Sequence, residues 1–246
     1  MPTIFRKLRK SLLTENKFSK YLVYAAGEIV LVVIGILIAL QINTCNNQKI
    51  QNDKEQFYLS EIKSTLIQDS LAIKKVLEYN IQKKKVIGEM MGIFSDTLNN
   101  RERLAILDRS TDVFVDYRLF EPSSTTFNNM ISAETISVIQ DNQLKNMLTN
   151  YYEYNYAEGL QERLVQMNRK VVDEAFPEFF TREFAKAQLN LDTELKPIDE
   201  VELHKSSVFL SDLYGISYLI NMQDDFLKRT LSDIDKLIKK IDQNLD

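Results

Sequence analysis

The sequence lacks most of what a chemically active protein displays. Its 246 residues include no tryptophan, one cysteine (Cys45), one histidine (His204), six glycines and four prolines. A single cysteine excludes an intrachain disulfide and a cysteine-built zinc site. Scarce glycine and proline leave few turns, which argues for long helices and against a β-sandwich or barrel. There is no glycine-rich phosphate loop, no G-x-S-x-G elbow, no H-E-x-x-H pair and no EF-hand spacing. His204 is expected as a surface residue at the end of a loop. The carboxylate pairs Asp199-Glu200 and Asp224-Asp225 read as solvated faces. The chain therefore reads as no enzyme, with no cofactor and no metal.

What is present is a long apolar run. Residues 21–42, YLVYAAGEIVLVVIGILIALQI, carry one charge, Glu28. About twenty helical residues rise ~30 Å, the thickness of a bilayer's hydrocarbon core. Before the run, Arg6, Lys7, Arg9, Lys10, Lys17 and Lys20 face a single acidic residue, Glu15; the acidic excess lies after it. Basic residues flank the cytoplasmic end of a span, so the expected topology is an N-terminus in the cytoplasm and a C-terminal domain across the inner membrane. The acidic body does not suit nucleic acid. Residues 1–20 form a basic stub, and Ile4, Phe5, Leu8 and Leu12 recur at helical spacing, as in an amphipathic helix on the inner leaflet. The length of the run and of the stub before it favours an uncleaved signal anchor over a secretory signal peptide.

On a helical wheel Tyr21, Gly35 and Ala39 fall within about 20° of Glu28, and Tyr24 within about 40°. One stripe thus collects the carboxylate, both tyrosines and a small-x-x-x-small pair. Small residues let helices approach closely, and a polar group on the same face bonds across the contact. The stripe reads either as a docking face for a second copy or another membrane protein, or as coincidence around a snorkelling carboxylate. Cys45, just past the span, reads either as an intermolecular disulfide between two copies or as an incidental thiol.

The string ENKFSKYLVYAAGEIVLVVIGILIALQIN (residues 15–43) resembles the opening of domain of unknown function family 6090, single-span membrane proteins found mostly in Bacteroidota. TFNNMISAETISVIQDNQLKNMLTNYY (residues 126–152) resembles that family's middle segment. The resemblance implies the same topology and an all-helical outer domain, and it implies no activity.

Residues 43–246 are expected as a periplasmic α-helical domain with long helices at about 46–87, 141–176 and 206–246. In the first, Leu59, Ile62, Leu66, Ile73 and Val76 follow a heptad spacing that Asp69 and Asn80 interrupt. Asp141 caps the second, where Tyr151, Tyr152, Tyr154 and Tyr156 make the most aromatic stretch: either core, or the lining of a ligand or peptide groove. In the third, Ile220, Leu227, Ile234 and Ile241 repeat every seven residues, interleaved with Leu231 and Ile238. This stalk seam pairs either antiparallel with the helix leaving the membrane or with a second copy.

The sequence therefore predicts an all-α fold: one transmembrane helix, then a helical bundle with a coiled-coil-like stalk. Its expected role is that of a membrane-anchored structural or interaction protein of the cell envelope. The alternative is a sensor whose bundle binds a ligand or peptide and signals through a partner. The expected partners are the lipid bilayer and a second copy or another membrane protein.

Overall fold

The computed structural model describes residues 18–245, with side chains from residue 22 onward except at position 203. The amphipathic helix expected in residues 1–20 and the side chain of Tyr21 lie outside what is described. Among the described residues the fold is all-α, with no strand. Helix α1 (Phe18–Met91) is followed by α2 (Asn100–Val115), α3 (Thr125–Ser132), α4 (Asn142–Glu153), α5 (Leu160–Lys170), α6 (Phe176–Phe179), α7 (Arg182–Leu189) and α8 (Ser207–Asp242).

Local chemistry sets the helix starts. Asn99 opens α2 with a reciprocal capping box: its Oδ1 accepts from the Glu102 N–H, and Glu102 Oε2 accepts from the Asn99 N–H. Asp141 Oδ1 accepts from the Gln143 and Leu144 N–H groups at 2.8 and 3.0 Å, as its position predicts. Thr181 and Ser206 cap α7 and α8 in the same way.

The single helix expected over 141–176 is broken. It ends at Glu153 and restarts at Leu160, because Gly159 sits at φ +70°, a left-handed conformation that other residues rarely adopt. A π-helical turn, Val171–Ala175, then leads into α6, where Pro177 lies in the first turn and its missing N–H costs nothing. The helix expected to begin at Ser206 uses that residue as its cap and ends at Asp242.

The chain divides into two compact units, Met1–Glu55 and Gln56–Asp246. In the first, residues 43–54 are exposed, as are most of residues 22–42. The second holds the packed domain. Its backbone pair is α1 against α8, and the contacts fix their direction. Gln56 donates to the Asn244 carbonyl, Lys63 pairs with Asp242 at 2.6 Å, Asn80 bonds Gln223 at 2.9 Å and Lys84 bonds Asn221. Ascending numbers on α1 meet descending numbers on α8, so the two run antiparallel.

The buried row of α1 alternates three and four residues: Leu59, Ile62, Leu66, Asp69, Ile73, Val76, Asn80, Lys83, Ile87, Met90. The matching row of α8 is Ile216, Ile220, Gln223, Leu227, Thr230, Ile234, Leu237, Ile241. Of the expected seam, Ile220, Leu227, Ile234 and Ile241 are buried, while Leu231 and Ile238 are half-buried. The row that goes fully inside with the first is Gln223, Thr230 and Leu237.

These rows serve two apolar cores. One gathers Leu59 to Val76 of α1 with α3, α4 and Leu227 to Ile241 of α8. The other gathers Ile87 to Ile93 with α2, α5 to α7 and Phe209 to Ile220. Between them lies a polar layer. Asn80 Nδ2 donates to Gln223 Oε1 and Asp224 Oδ1. Gln223 Nε2 donates to the Arg118 carbonyl and to Gln161 Oε1. Gln161 is also bonded to both backbone groups of Phe120. Lys83, 1% exposed, donates to Asn168 Oδ1 at 2.6 Å and to the Asp116 carbonyl. Burial holds its ammonium down to about 8, with the Asp116 charge opposing in part.

Two measurements test this arrangement. Leu227→Ala should cost about 2–5 kcal/mol in chemical unfolding of the purified protein, and Leu231→Ala clearly less, since only the first empties a fully enclosed site. Lys83 sets a pH dependence. Its folded value lies below the ordinary 10.5, so the unfolded chain binds the extra proton between the two. Stability should therefore rise from pH 8 towards pH 10, by up to ~3 kcal/mol, and Lys83→Met should flatten that rise. Above about pH 10 the tyrosines whose folded values are raised, Tyr79 to about 12 among them, reverse the slope.

Candidate functional site

The packed domain carries a groove of about 520 Å³ where the end of α4 and the turn after it face α8. It is built around the tyrosine cluster. Tyr151 and Tyr156 are buried, Tyr152 is half-buried and Tyr154 is 55% exposed. Tyr152 stacks on Phe127 at 4.8 Å, and Tyr156 meets Phe120 edge-on at 5.4 Å. Such pairs add roughly 0.5–1.5 kcal/mol each beyond area burial. The cluster is therefore core and groove wall at once: Tyr151 and Tyr156 are buried and also line the groove, Tyr152 belongs to the core alone, and Tyr154 to the wall.

Its innermost member is anchored on α1. The Tyr151 hydroxyl donates to Asp69 Oδ2 at 2.9 Å, and the Ser123 N–H donates to Asp69 Oδ1 at 3.0 Å. Burial raises the Asp69 carboxyl above the usual carboxylate range, although both bonds pull it down. Burial likewise pushes the Tyr151, Tyr152 and Tyr156 phenols far up, with the Asp69 charge adding to it. These phenols stay neutral and act as hydrogen-bonding or stacking surfaces, with no nucleophilic role near neutral pH.

The opposite wall comes from α8. Phe226 and Leu237 supply apolar surface, and Arg229, Asp233 and Lys236 stand at the rim. Tyr154 lies 5.8 Å from the Phe226 ring at 32°, and 4.9 Å from the Tyr156 ring at 74°. Lys236 pairs with Asp233 at 2.7 Å. Arg229 uses its Nε on the Asp225 carbonyl at 3.2 Å. These α8 residues escape a reading tuned to the seam. Phe226, Arg229, Asp233 and Lys236 follow one another at three- or four-residue steps beside the buried row, so the signal that marks them is a second helical stripe on the outer face of α8.

The other sequence candidates are placed apart from the groove. Tyr24 and Glu28 are half-buried, and Ala39 is exposed. Gly35 has nothing within 4 Å of where a Cβ would stand. Cys45 is an exposed free thiol, 3.7 Å from the Gln41 side-chain nitrogen. His204 departs from expectation: it is half-buried in a 3₁₀ turn, Leu203–Lys205, with its Nδ1 buried and unpartnered. Among the described residues, no three His, Cys, Asp or Glu side chains converge as metal ligands would.

The anchor beneath the groove is testable. Tyr151→Phe removes one of two hydrogen bonds to a buried carboxylate and should cost about 1–3 kcal/mol in unfolding experiments. It should also raise the Asp69 carboxyl further, which a carboxyl-observed NMR titration reads directly.

No curated protein and no solved structure matches this chain. A family model, described as a family of unknown function (DUF6090), matches residues 28–205, from Glu28 within the apolar helix to Lys205 just before the α8 cap. That is well over half of the sequence, and the chain belongs to this family.

Proposed function

We propose that this protein is a bilayer-anchored interaction protein of the cell envelope. The observation that carries the reading is the apolar helix itself. The stretch beginning at Leu22 has a mean hydropathy of 2.6 over its most apolar eighteen residues, and none of that window is buried against protein. Leu31, Val33, Leu37 and Leu40 are each about half exposed or more. A fully buried side chain of this kind is stabilised by ~1.5–3 kcal/mol, so thirteen of them exposed to water between Leu22 and Ile42 are an untenable cost that a bilayer relieves. The basic residues before the span favour a cytoplasmic N-terminus, with the packed domain on the other side of the inner membrane. The absence of a recognisable catalytic pattern in the sequence supports a binding role over an enzymatic one.

The association surface in the membrane is the stripe of Tyr21, Tyr24, Glu28, Gly35 and Ala39, and its partner is a second copy or another span. The pattern that supports this assignment is a small-x-x-x-small pair, Gly35 and Ala39, on the same face as a polar group, which lets two spans approach closely. A second reading is favoured by the groove of about 520 Å³: the domain binds a ligand there and passes the signal to a partner.

The experiments are direct. The protein should resist alkaline extraction from membranes. Its single thiol, Cys45, should react with a membrane-impermeant maleimide in spheroplasts, and labelling only after lysis would reverse the topology. Gly35→Leu and Glu28→Leu should each weaken span association in a bilayer reporter several-fold. Unchanged association in both removes the stripe from the account. Non-reducing electrophoresis of native membranes separates a Cys45-linked dimer from a free thiol.

A further inference from the structure

We infer that the tyrosine groove is a binding site for a small aryl carboxylate, its ring laid against Tyr154 and its carboxylate held by Arg229. This deepens the ligand-binding reading above and rests on it. The inference stands on three features of the groove: size, aromatic wall and uncompensated charge.

A volume of about 520 Å³ falls in the range of small-molecule sites and holds ~10–25 non-hydrogen atoms. Its inner surface is set by side chains that cannot move far. Tyr151 is tied to Asp69, and Tyr156 is packed edge-on against both Phe120 and Tyr151. Tyr154 is the exception, being more than half exposed while its ring stays fixed by contacts with Tyr156 and Phe226. A solvent-facing aromatic held in place by two others is a stacking platform whose ordering is already complete in the free protein. The 5.8 Å spacing of Tyr154 and Phe226 is too close for a third ring between them. A ligand ring therefore lies on the open face of Tyr154, offset or edge-on.

The rim supplies the charge. Of the two cations, Lys236 is neutralised by Asp233 at 2.7 Å. Arg229 has no carboxylate partner among the described residues. Only its Nε is engaged, with the Asp225 carbonyl, which leaves both terminal nitrogens to donate. A guanidinium with its fork open presents parallel N–H groups that match one planar carboxylate. A single such charge suits a monoanion; a phosphate dianion calls for more than one cation, and the second cation of the rim, Lys236, is paired with Asp233. The same rim pair, Lys236 and Asp233, leaves no net charge to attract a cationic ligand.

The test uses the full-length chain in lipid nanodiscs, with empty nanodiscs as the control for partitioning. Binding is followed by saturation-transfer NMR and titration with 3-phenylpropionate, its neutral amide and hexanoate. The acid should bind at least about tenfold more tightly than either of the others, the ratio expected of one charge-assisted bidentate pair or one stacked ring. Arg229→Gln, a change at an exposed position, should bring the acid down to the level of the amide and leave the amide unchanged. Tyr154→Ala should weaken the acid and the amide alike. Equal binding of acid and amide, or an acid unaffected by Arg229→Gln, overturns the carboxylate assignment while the groove remains a ligand site. No binding of any of the three up to ~10 mM, a limit below which small-ligand recognition loses meaning, overturns both.

Discussion

The packed domain depends on the register between α1 and α8. Two long antiparallel helices with three-four rows of leucine and isoleucine are nearly indifferent to a shift of one heptad, because each slip restores apolar contact. The polar layer removes that indifference. Asn80 is paired with Gln223 and Asp224, and Gln223 is bonded onward to Gln161 and the Arg118 carbonyl. A slip of seven residues sets Asn80 opposite Ile216 or Thr230. Either choice strands buried amides, each at a cost of about 1–3 kcal/mol, and Lys83 would lose Asn168 as well. The layer is therefore expensive as stability and effective as specification. It also explains the two apolar cores: the layer is a boundary that neither core crosses.

Much of this was legible in the sequence. The α1 row follows from heptad spacing alone, and Asp69 and Asn80, which look like interruptions, prove to be members of the row bonded to Tyr151 and Gln223. The α8 row was half legible. A search for apolar repeats finds Ile220, Leu227, Ile234 and Ile241, then takes Leu231 and Ile238 as the companions. The true companions, Gln223, Thr230 and Leu237, include two polar residues that periodicity by hydrophobicity skips. Gln223 is inside because it completes a network whose other members lie tens of residues away, at Asn80, Arg118 and Gln161. No local pattern carries that information.

The break at Gly159 is a different kind of miss. The sequence offers a continuous helical reading from Asp141, and a lone glycine is tolerated in a helix at ~1 kcal/mol. Tertiary packing decides otherwise. Turning the chain there brings Tyr156 back against Phe120 and sends α5 alongside α8, where Leu164 and Val171 join the second core. The aromatic stretch is pulled out of one helix and folded into a turn, and that turn is what gives the groove its wall. The groove was thus only half visible: its tyrosines stand out in the sequence, but the arginine and aspartate facing them lie more than seventy residues on, in α8.

The groove and the register are one structure seen from two sides. Asp69 on α1 holds Tyr151, so α1 fixes the inner wall. Phe226, Arg229 and Asp233 on α8 fix the outer wall. Residues 223 and 224, the polar pins of the register, lie within two turns of Arg229 on the same helix. A shift of α8 along α1 large enough to break Asn80 from Gln223 would carry Arg229 away from Tyr154 by the same distance. Whatever occupies the groove therefore binds only the registered state. By linkage it stabilises that state by RT ln(1 + [L]/Kd), without needing any contact with the polar layer itself.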